Sequence, residues 1–443
     1  MPAEQPRLAI DGGPQAVTAA YRERWRRVRL RDVADIARYA RRDVNTLTKA
    51  EGPIAEFEQS FARLTDTRHA ISMNSGTAAL HSAYFAVGVR PGTEVIVPAY
   101  TFFASAAPIL QCGATPVFCD VDARMLTADP DDVERRITER TRAICVVHMW
   151  GNPAALDRFK EIARRHELAL IEDCSHAHGP TYQGRPVGSW GDVGCFSLQG
   201  AKAVSGGEAG IAVTSDPVLF DRMLLLGQYG RLKKGQAAGT FATDYLSLGV
   251  KYRPHLYAIL LARGSLARLE ELNRRRRANY DLLERELAGC RAVSPIETAP
   301  GAVRGGFLEF ILRYDPAFAG GLSCEGFIEA VAAEGVPIAR ERYSAIGKRR
   351  RMLHQSPIFR GGDIYDLVAG VQPFDAPLPE RLPVTETLAD TLMTIPPFTT
   401  VRSRFVHQCA AAICKVADEA ASSASGARGD REQRQAPSRA VAG

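Results

Sequence analysis

Leu168-Ala169-Leu170-Ile171-Glu172-Asp173 is an apolar run that ends in two acidic residues. It belongs to a series of apolar segments with the length and composition of buried β-strands. The series consists of Glu94–Pro98, Thr115–Cys119, Arg142–His148, Leu168–Asp173, Val193–Leu198 and Ile211–Thr214. Segments with helical patterns lie among them, at Ala55–Leu64, Thr77–Val87, Phe103–Gln111 and Ala154–His166. Apolar strands that alternate with helices predict an α/β fold with a largely parallel sheet covered on both faces.

The part of the chain in which strands and helices alternate indicates where the domains begin and end. We predict an N-terminal arm over residues 1–50, which carries an arginine-rich helix around Val33–Arg42. A large α/β domain is predicted over residues 51–265 and a smaller α+β domain over residues 266–418. Residues 419–443 are rich in Ser, Ala, Gly, Arg and Gln without apolar periodicity, which predicts a disordered tail.

The smaller domain has less regular patterns. One long helix is predicted over Leu256–Leu287, at the junction of the two domains. Residues 343–382 are rich in Pro, Gly and Arg and predict an extended loop. The remaining predicted elements are a strand at Gly306–Tyr314, a helix at Cys324–Glu334 and a helix after Thr399.

Composition places the chain among ordinary soluble proteins. Hydrophobic residues make up 46% and charged residues 24% of the sequence, and the net charge is +6. The excess of basic residues is concentrated in Arg22–Arg31, Arg274–Arg277 and Lys348–Arg351. Because no aromatic stacking pattern or DNA-binding motif accompanies these clusters, we do not predict nucleic-acid binding. Solvated helix faces, with a few arginines left for an anionic substrate, explain them better.

The cysteines and the termini point to a cytoplasmic protein. The nine cysteines show no C-x-x-C pair and no zinc spacing, so they predict reduced core thiols and no metal site. The N-terminus lacks the charged-then-apolar pattern of a signal peptide. No apolar stretch reaches the roughly 18–20 residues needed to span a bilayer, so no membrane association is predicted.

Two residues carry the predicted chemistry. Asp173 falls at the carboxyl end of a predicted parallel strand, the edge where such sheets bind ligands. Lys202 lies 29 residues later and closes the stretch Phe196-Ser197-Leu198-Gln199-Gly200-Ala201-Lys202. An amine that forms an imine and a carboxylate that holds a pyridinium nitrogen are what pyridoxal phosphate requires. Taken singly, Asp173 could instead cap a turn and Lys202 could be a surface lysine.

Nearby residues suit the rest of that cofactor. Ser75-Gly76-Thr77 stands at a helix start, where free amides and the helix dipole favour a phosphate, although a simple helix cap fits as well. Phe102 follows a strand and could stack on a flat ring or pack in the core. His176 could pack over the ring or bond its phenolic oxygen, and Ser197 is placed to bond the phosphate.

The order of these motifs resembles the DegT/DnrJ/EryC1/StrS family, which comprises sugar and cyclitol aminotransferases of fold type I. The resemblance extends over residues 8 to 415 and is strongest between 70 and 215. The motifs that carry it are Ser75–Leu80, Val95–Pro98 with Thr101-Phe102, Gly113–Phe118, Glu172-Asp173 with Ala177-His178-Gly179, and Gly191-Asp192 through Phe196-Ser197 to Lys202 and Gly207-Glu208.

The resemblance implies an enzyme that uses pyridoxal phosphate and takes its amino group from glutamine or glutamate. It also implies a homodimer with active sites at the interface of its two subunits. It implies that Lys202 forms the Schiff base and that Asp173 pairs with the ring nitrogen. It further implies that Phe102 stacks on the ring and that the phosphate is held by Gly76, Thr77 and Ser197.

Two positions depart from the family pattern. His176 stands where many members have Gln, although a histidine also occurs there in members that act on cyclitols and on aminohydroxybenzoate precursors. Lys251, in Gly249-Val250-Lys251-Tyr252-Arg253, stands where the family has an Asn that reaches the phosphate of the neighbouring subunit.

The resemblance favours transfer of an amino group to a keto-sugar or keto-cyclitol, in secondary-metabolite (antibiotic) or nucleotide-sugar biosynthesis. Relatives that dehydrate sugars carry His in place of Lys202, so the lysine favours transamination. Two alternatives remain open from the sequence. One is an aminodehydratase of the aminohydroxybenzoate synthase type, and the other is a non-catalytic cofactor-binding partner subunit. The sequence does not name the acceptor; Arg340, Arg342 and residues 349–351 could meet a phosphate on it.

Overall fold

The computed structural model describes residues 8–23, 25, 28–42, 51–232, 250–343, 353–359, 381–388 and 390–435. The basic cluster Lys348–Arg351 and most of the predicted loop 343–382 lie outside these residues. Fourteen strands occur in the described ranges. They are β1 His69–Met73, β2 Glu94–Pro98, β3 Thr115–Cys119, β4 Thr141–Val147, β5 Ala169–Asp173, β6 Thr181–Tyr182, β7 Arg185–Pro186, β8 Val193–Ser197, β9 Gly210–Thr214, β10 Val293–Pro295, β11 Ala302–Val303, β12 Phe310–Tyr314, β13 Ala339–Arg340 and β14 Leu392–Ile395.

Helices cover both faces of the main sheet and one side of the smaller one. In the described ranges they are α1 Leu30–Ala40, α2 Pro53–Leu64, α3 Gly76–Ala86, α4 Ala107–Gln111, α5 Pro130–Arg135, α6 Leu156–Arg165, α7 Pro217–Gly227, α8 Leu256–Leu266, α9 Leu269–Leu287, α10 Cys324–Ala333, α11 Pro383–Leu388 and α12 Ser403–Gln435. None of these helices combines the length and the hydropathy needed to cross a bilayer.

The main sheet has seven strands in the order β1-β9-β8-β5-β4-β2-β3. The neighbouring pairs from β8 to β3 are parallel, whereas β9 is antiparallel to both β8 and β1. The prediction of a mostly parallel α/β sheet is therefore confirmed. Because β9 runs against its neighbours, the carboxyl ends of β1, β8, β5, β4 and β2 all meet at one edge. That edge carries the residues described below as the candidate active site.

A second sheet of four antiparallel strands, in the order β10-β12-β14-β13, forms the core of the smaller unit. The helices α9, α10 and α12 pack against it around Phe310, Phe327 and Ile413, which are buried. A short sheet, β11-β6-β7, joins a strand that precedes β12 to a hairpin that follows β5. This architecture agrees with the predicted α+β C-terminal domain, although the boundaries at residues 50, 265 and 418 remain predictions.

The single long helix predicted over Leu256–Leu287 is wrong, because the structure contains two helices, α8 and α9. The break falls at Ala267-Arg268, where Ala267 is the C-cap of α8 and Arg268 is the N-cap of α9. The Arg268 guanidinium then lies 3.3 Å from the carboxylate of Asp32 in α1. The two helices also have different partners, since α8 packs on α1 and α2 whereas α9 packs on α12 and β10.

The last helix, α12, differs from the predicted tail. It continues past residue 419, where composition predicts disorder, and ends at Gln435. Among the side chains whose burial the structure describes, the last buried apolar one is Ala417, and Ala420 still packs, partly buried, against the same core. Residues such as Ala421 and Ala424 favour continuation of the helix through their high helix propensity. Residues 436–443 of the predicted tail lie outside the described range.

Candidate active site

A cavity of about 380 Å³ opens at the carboxyl edge of the main sheet. Seven of the eight residues singled out in the sequence line it: Gly76, Thr77, Phe102, Asp173, His176, Ser197 and Lys202. They come from the start of α3 and from the segments that follow β2, β5 and β8. Strand order therefore assembles in one cavity residues that are as far as 126 positions apart. Lys251 is the one that does not line it.

Asp173 is buried at the base of the cavity and is held by two neutral donors. The Ser105 hydroxyl donates to its Oδ2 at 2.7 Å, and the amide of Ser175 donates to its Oδ1 at 3.0 Å. Thr101 in turn donates to the Ser105 hydroxyl at 2.8 Å. Asp173 forms no ion pair with a described residue, yet it is only 4% exposed. A buried carboxylate held only by neutral donors is well suited to bind a cationic ring nitrogen.

Lys202 follows β8 and lies partly buried across the same cavity. Burial lowers the pKa of its amine from 10.5 to about 8, with the Asp173 carboxylate opposing the shift and the Arg342 guanidinium adding to it. An appreciable fraction of the amine is therefore neutral near physiological pH. The neutral amine is the form that attacks a carbonyl group and the form that accepts a proton.

His176 lies in the wall of the cavity as a neutral imidazole. Burial lowers its pKa well below 6.5, and the nearby positive charges of Lys202 and Arg342 lower it further. Its Nδ1 accepts a hydrogen bond from the amide of Trp150 at 3.4 Å, which places its proton on Nε2. Its ring contacts those of Trp150 and Tyr343, with centroid distances of 5.3 and 5.6 Å, and the three rings form one cluster.

The start of α3 provides a cradle for an anion. The Ser75 hydroxyl caps the helix by accepting from the amide of Ala78 at 3.1 Å. The amides of Gly76 and Thr77 have no hydrogen-bond partner among the described residues, so they can bind a phosphate with the help of the helix dipole. Gly76 packs so closely on β8 that a Cβ atom there would lie 2.9 Å from the Cβ of Ser197. The lack of a side chain at Gly76 thus keeps the cradle open.

These residues fit pyridoxal phosphate. The cavity offers an anion cradle at α3, a buried carboxylate at Asp173, an amine of lowered pKa at Lys202 and an aromatic ring at Phe102, which is 43% exposed. The four features match, in turn, the phosphate, the ring nitrogen, the aldehyde and the flat face of the cofactor.

Lys251 lies behind the helix cap and is exposed. Its carbonyl oxygen is 3.5 Å from the side-chain amide of Asn74, and the carbonyl of the next residue, Tyr252, accepts from the backbone amide of Asn74 at 3.0 Å. The side chain of Lys251 is therefore free to reach a second molecule, and its role at a neighbouring phosphate stays a prediction.

Two neighbours of the cavity residues are structural. Glu172 is fully buried, and its carboxylate accepts from the amides of Gly188, Trp190 and Gly191 at 2.7–2.8 Å and from His148. His178 is also buried, with its ring packed edge-on against Phe61 at 6.4 Å. Burial lowers the pKa of His178 to about 3, so it is neutral.

Several residues that form the site were not identified from the sequence. Ser105 could have been found, because it belongs to a hydroxyl-rich stretch after a strand that ends at the ligand-binding edge. Tyr343 lines the cavity from the smaller unit, and no motif marked it. Gln199 and Glu208 also line the cavity, within the loop around Lys202.

Comparison with known proteins shows to which family the chain belongs. The model of the DegT/DnrJ/EryC1/StrS aminotransferase family matches residues 34–355. An L-glutamine:2-deoxy-scyllo-inosose aminotransferase from Streptomyces paromomycinus is 35% identical over 347 residues, which are 76% of this chain and 80% of the relative. GDP-perosamine synthase from Caulobacter vibrioides is 46% identical over 177 residues, 40% of this chain and 48% of the relative.

Solved structures agree with this assignment. The crystal structure of DesI in the presence of its TDP-sugar product has a TM-score of 0.75 at 29% identity, over 95% of this chain and 99% of that one. The structure of 3-amino-5-hydroxybenzoic acid synthase has a TM-score of 0.76 at 24% identity, over 91% and 100% of the two chains, and shows the shared fold alone. The chain belongs to the DegT/DnrJ/EryC1/StrS family and is a pyridoxal phosphate-dependent aminotransferase.

Proposed function

We propose that the protein transfers the amino group of glutamine, or of glutamate, to a ketone on a cyclitol or sugar ring, within secondary-metabolite or nucleotide-sugar biosynthesis. The observation that carries this proposal is the placement of Lys202 and Asp173 in one cavity, with the Lys202 pKa lowered to about 8. The relatives named above act, by their names, on 2-deoxy-scyllo-inosose and on a GDP-sugar. They support both acceptor classes.

Bound pyridoxal phosphate supplies the electron sink that allows a Cα–H bond of the donor to break. Asp173 would keep the ring nitrogen protonated, and the donors Ser105 and Ser175 fix the orientation of that carboxylate. Lys202 as its neutral amine would accept the proton from Cα of the donor, and the resulting ammonium would donate it to C4′ of the cofactor.

Other residues of the chain bind and orient. The amides of Gly76 and Thr77 and the hydroxyl of Ser197 would hold the phosphate, and the Phe102 ring would pack on the flat ring of the cofactor. His176 presents its Nε2–H as a hydrogen-bond donor, because its Nδ1 already accepts from Trp150. A histidine that stays neutral can donate to an anionic oxygen without adding a second positive charge beside Lys202.

We also propose a cytoplasmic homodimer with shared active sites. Phe102, which lines the cavity, and its neighbour Phe103 are 43% and 45% exposed, and Lys251 is exposed without lining its own cavity. Burial of those rings against a second subunit would remove exposed apolar surface. The same contact would bring Lys251 toward the neighbouring phosphate.

The test is a screen of donors and acceptors with purified protein and pyridoxal phosphate. We expect an absorbance band of lysine-bound cofactor that is lost in Lys202→Ala, and amino-cyclitol or amino-sugar products detected by mass spectrometry. Free keto-cyclitols compared with nucleotide-linked keto-sugars identify the acceptor class. An aromatic amine as product would support the aminodehydratase alternative instead. Protein that shows the cofactor band but converts no donor or acceptor would support the non-catalytic alternative, whereas protein that stays colourless with added cofactor would contradict the proposed function and both alternatives.

A further inference from the structure

Tyr343 forms one wall of the active-site cavity from the smaller unit of the protein. Its ring stacks on His176 at 5.6 Å, with an interplanar angle of 29°, and lies 5.0 Å from the Trp150 ring. Its edge meets Phe102 at 6.0 Å. Most of the other lining residues follow strands of the main sheet, whereas Tyr343 arrives three residues after β13 of the smaller sheet. Its position therefore requires a connection between the two sheets.

Glu341 provides the local part of this connection. It directly follows β13, whose residues Ala339 and Arg340 pair with β14, and it is only 4% exposed. Its carboxylate accepts a hydrogen bond from the backbone amide of Tyr343 at 2.6 Å. This bond closes a turn between residues 341 and 343 and fixes the backbone position from which the Tyr343 side chain extends.

Tyr100 provides the link to the main sheet. It lies two residues after β2, is fully buried, and its hydroxyl accepts from the indole Nε1 of Trp150 at 2.8 Å. Burial, and after it the negative charge of the nearby Glu341 carboxylate, raises the pKa of Tyr100 well above 10. The Tyr100 hydroxyl that holds the Trp150 indole therefore lies close to Glu341.

Trp150 completes the connection back to the cavity. Its backbone has φ 57° and ψ 18°, a left-handed conformation that bulky residues rarely adopt. Such a conformation is unfavourable for a bulky side chain and persists only where the surroundings hold it. Here the indole is held by Tyr100, and the Trp150 amide donates to Nδ1 of His176. These two bonds place the Trp150 and His176 rings, which Tyr343 contacts along with Phe102.

We propose that Glu341 is a positioning residue for amino transfer: through its bond to the Tyr343 amide it holds the Tyr343 ring against His176 and Trp150 at the cavity wall. The proposal rests on the proposed function, because Tyr343 affects turnover only if cofactor and substrate occupy this cavity. It differs from a purely structural role, in which the buried Glu341 would stabilise the fold without acting through Tyr343.

A double-mutant cycle separates these roles. We expect Glu341→Ala to lower kcat/KM by about tenfold, in the range measured for residues in direct contact. The double variant Glu341→Ala/Tyr343→Ala should be no worse than Tyr343→Ala alone. Glu341→Gln should recover most of the activity, because its amide oxygen still accepts from the Tyr343 backbone. Losses that simply add in the double variant would overturn the proposal.

Glu334 gives a matched control. It is another fully buried carboxylate of the smaller unit, bonded to the amides of Ala9 and Ala16 and to Lys415, and it does not line the cavity. Glu334→Gln should lower the melting temperature, and whatever small effect it has on kcat/KM should add to that of Tyr343→Ala. Coupling of Glu334 to Tyr343 as strong as that of Glu341 would count against a specific role for Glu341.

A milder variant covers the case in which Glu341→Ala does not fold. Tyr100→Phe removes only the hydroxyl that accepts from the Trp150 indole beside the Glu341 carboxylate, and we expect it to lower kcat/KM about threefold to tenfold, with no further loss in the Tyr343→Ala background. Additive losses would overturn the proposal here too. The cofactor absorbance band should persist in each variant. Its absence from the unmodified protein would refute the proposed function itself, whereas additivity with a normal band refutes only the role of Glu341.

Discussion

At the residue scale, the environment of Lys202 sets how the protein takes up its cofactor. Burial lowers the pKa of this amine from 10.5 to about 8, and only the neutral amine attacks the aldehyde. We therefore expect the rate of covalent capture by the apoprotein to rise with pH and to level off above about pH 8. Stopped-flow absorbance over about pH 6 to 10 measures this rate.

Nα-Acetyl-lysine is the matched control, because its amine keeps a pKa near 10.4 and its rate should still rise at about pH 9–10. Both reactions use the same aldehyde, so the titration of the cofactor's own groups is common to the two curves. If the capture rate of the protein keeps rising with pH above about 8, in parallel with the rate of Nα-acetyl-lysine, burial does not lower the pKa of Lys202.

Single residues also show how far sequence reasoning reaches. Asp173 and Lys202 were recognisable because each stands at a fixed place relative to an apolar strand, and the sheet brings strand ends together. Ser105 and Glu341 act through one hydrogen bond each, to Asp173 and to Tyr343. Contacts of that kind depend on side-chain direction after folding, which strand and helix patterns do not encode.

At the element scale, the start of α3 depends on Gly76. A Cβ atom there would lie 2.9 Å from the Cβ and 3.0 Å from the Cα of Ser197, so either α3 or β8 would have to shift. We expect Gly76→Ala to weaken cofactor binding about tenfold or more, because the shift misplaces the phosphate cradle. Titration of the apoprotein with pyridoxal phosphate, followed by absorbance, gives the apparent Kd.

Gly289→Ala is the comparison variant. It follows α9, and an added Cβ would have no atom within 4 Å. Helix formation itself is favoured by alanine over glycine, so a loss at Gly76 cannot come from poorer helix propensity. Equal affinities in the two variants would contradict the assigned cradle.

Elements differed in how well the sequence predicted them. The bounds of β2 and β3 were predicted to the residue, because fully buried parallel strands are continuous apolar runs with clear ends. The strand β1, His69–Met73, was missed, since its His and Ser residues dilute the apolar signal. The break between α8 and α9 was also missed, because it is set by the different packing partners of the two helices rather than by a Gly or Pro.

At the scale of the whole molecule, shared active sites predict complementation between inactive chains. If Lys251 serves the neighbouring phosphate, Lys251→Ala should lower activity although Lys251 lies outside its own cavity. An equimolar mixture of Lys202→Ala and Lys251→Ala chains should regain about a quarter of the normal activity. Half of the dimers in the mixture would contain one chain of each kind, and one of the two sites in each such dimer would be intact. Activity assays after co-refolding measure the recovery.

A second pairing serves as the control. Lys202 and Asp173 line the same cavity of one chain, so mixing Lys202→Ala with Asp173→Ala chains should restore nothing. Recovery in this control, or full activity of Lys251→Ala alone, would contradict the proposed exchange of residues between subunits.

The buried carboxylate of Glu172 has a consequence for the dynamics of the protein. It binds three amides of the turn at residues 188–191, while its own backbone belongs to β5 beside Asp173. Opening the turn would expose an unpaired buried charge, so turn and sheet unfold as one cooperative unit. We therefore expect the amide hydrogens of Gly188, Trp190 and Gly191 to exchange with solvent as slowly as those of the central strands. This turn, in which Gly188 and Ser189 are buried, would in this way share the kinetic protection of the core.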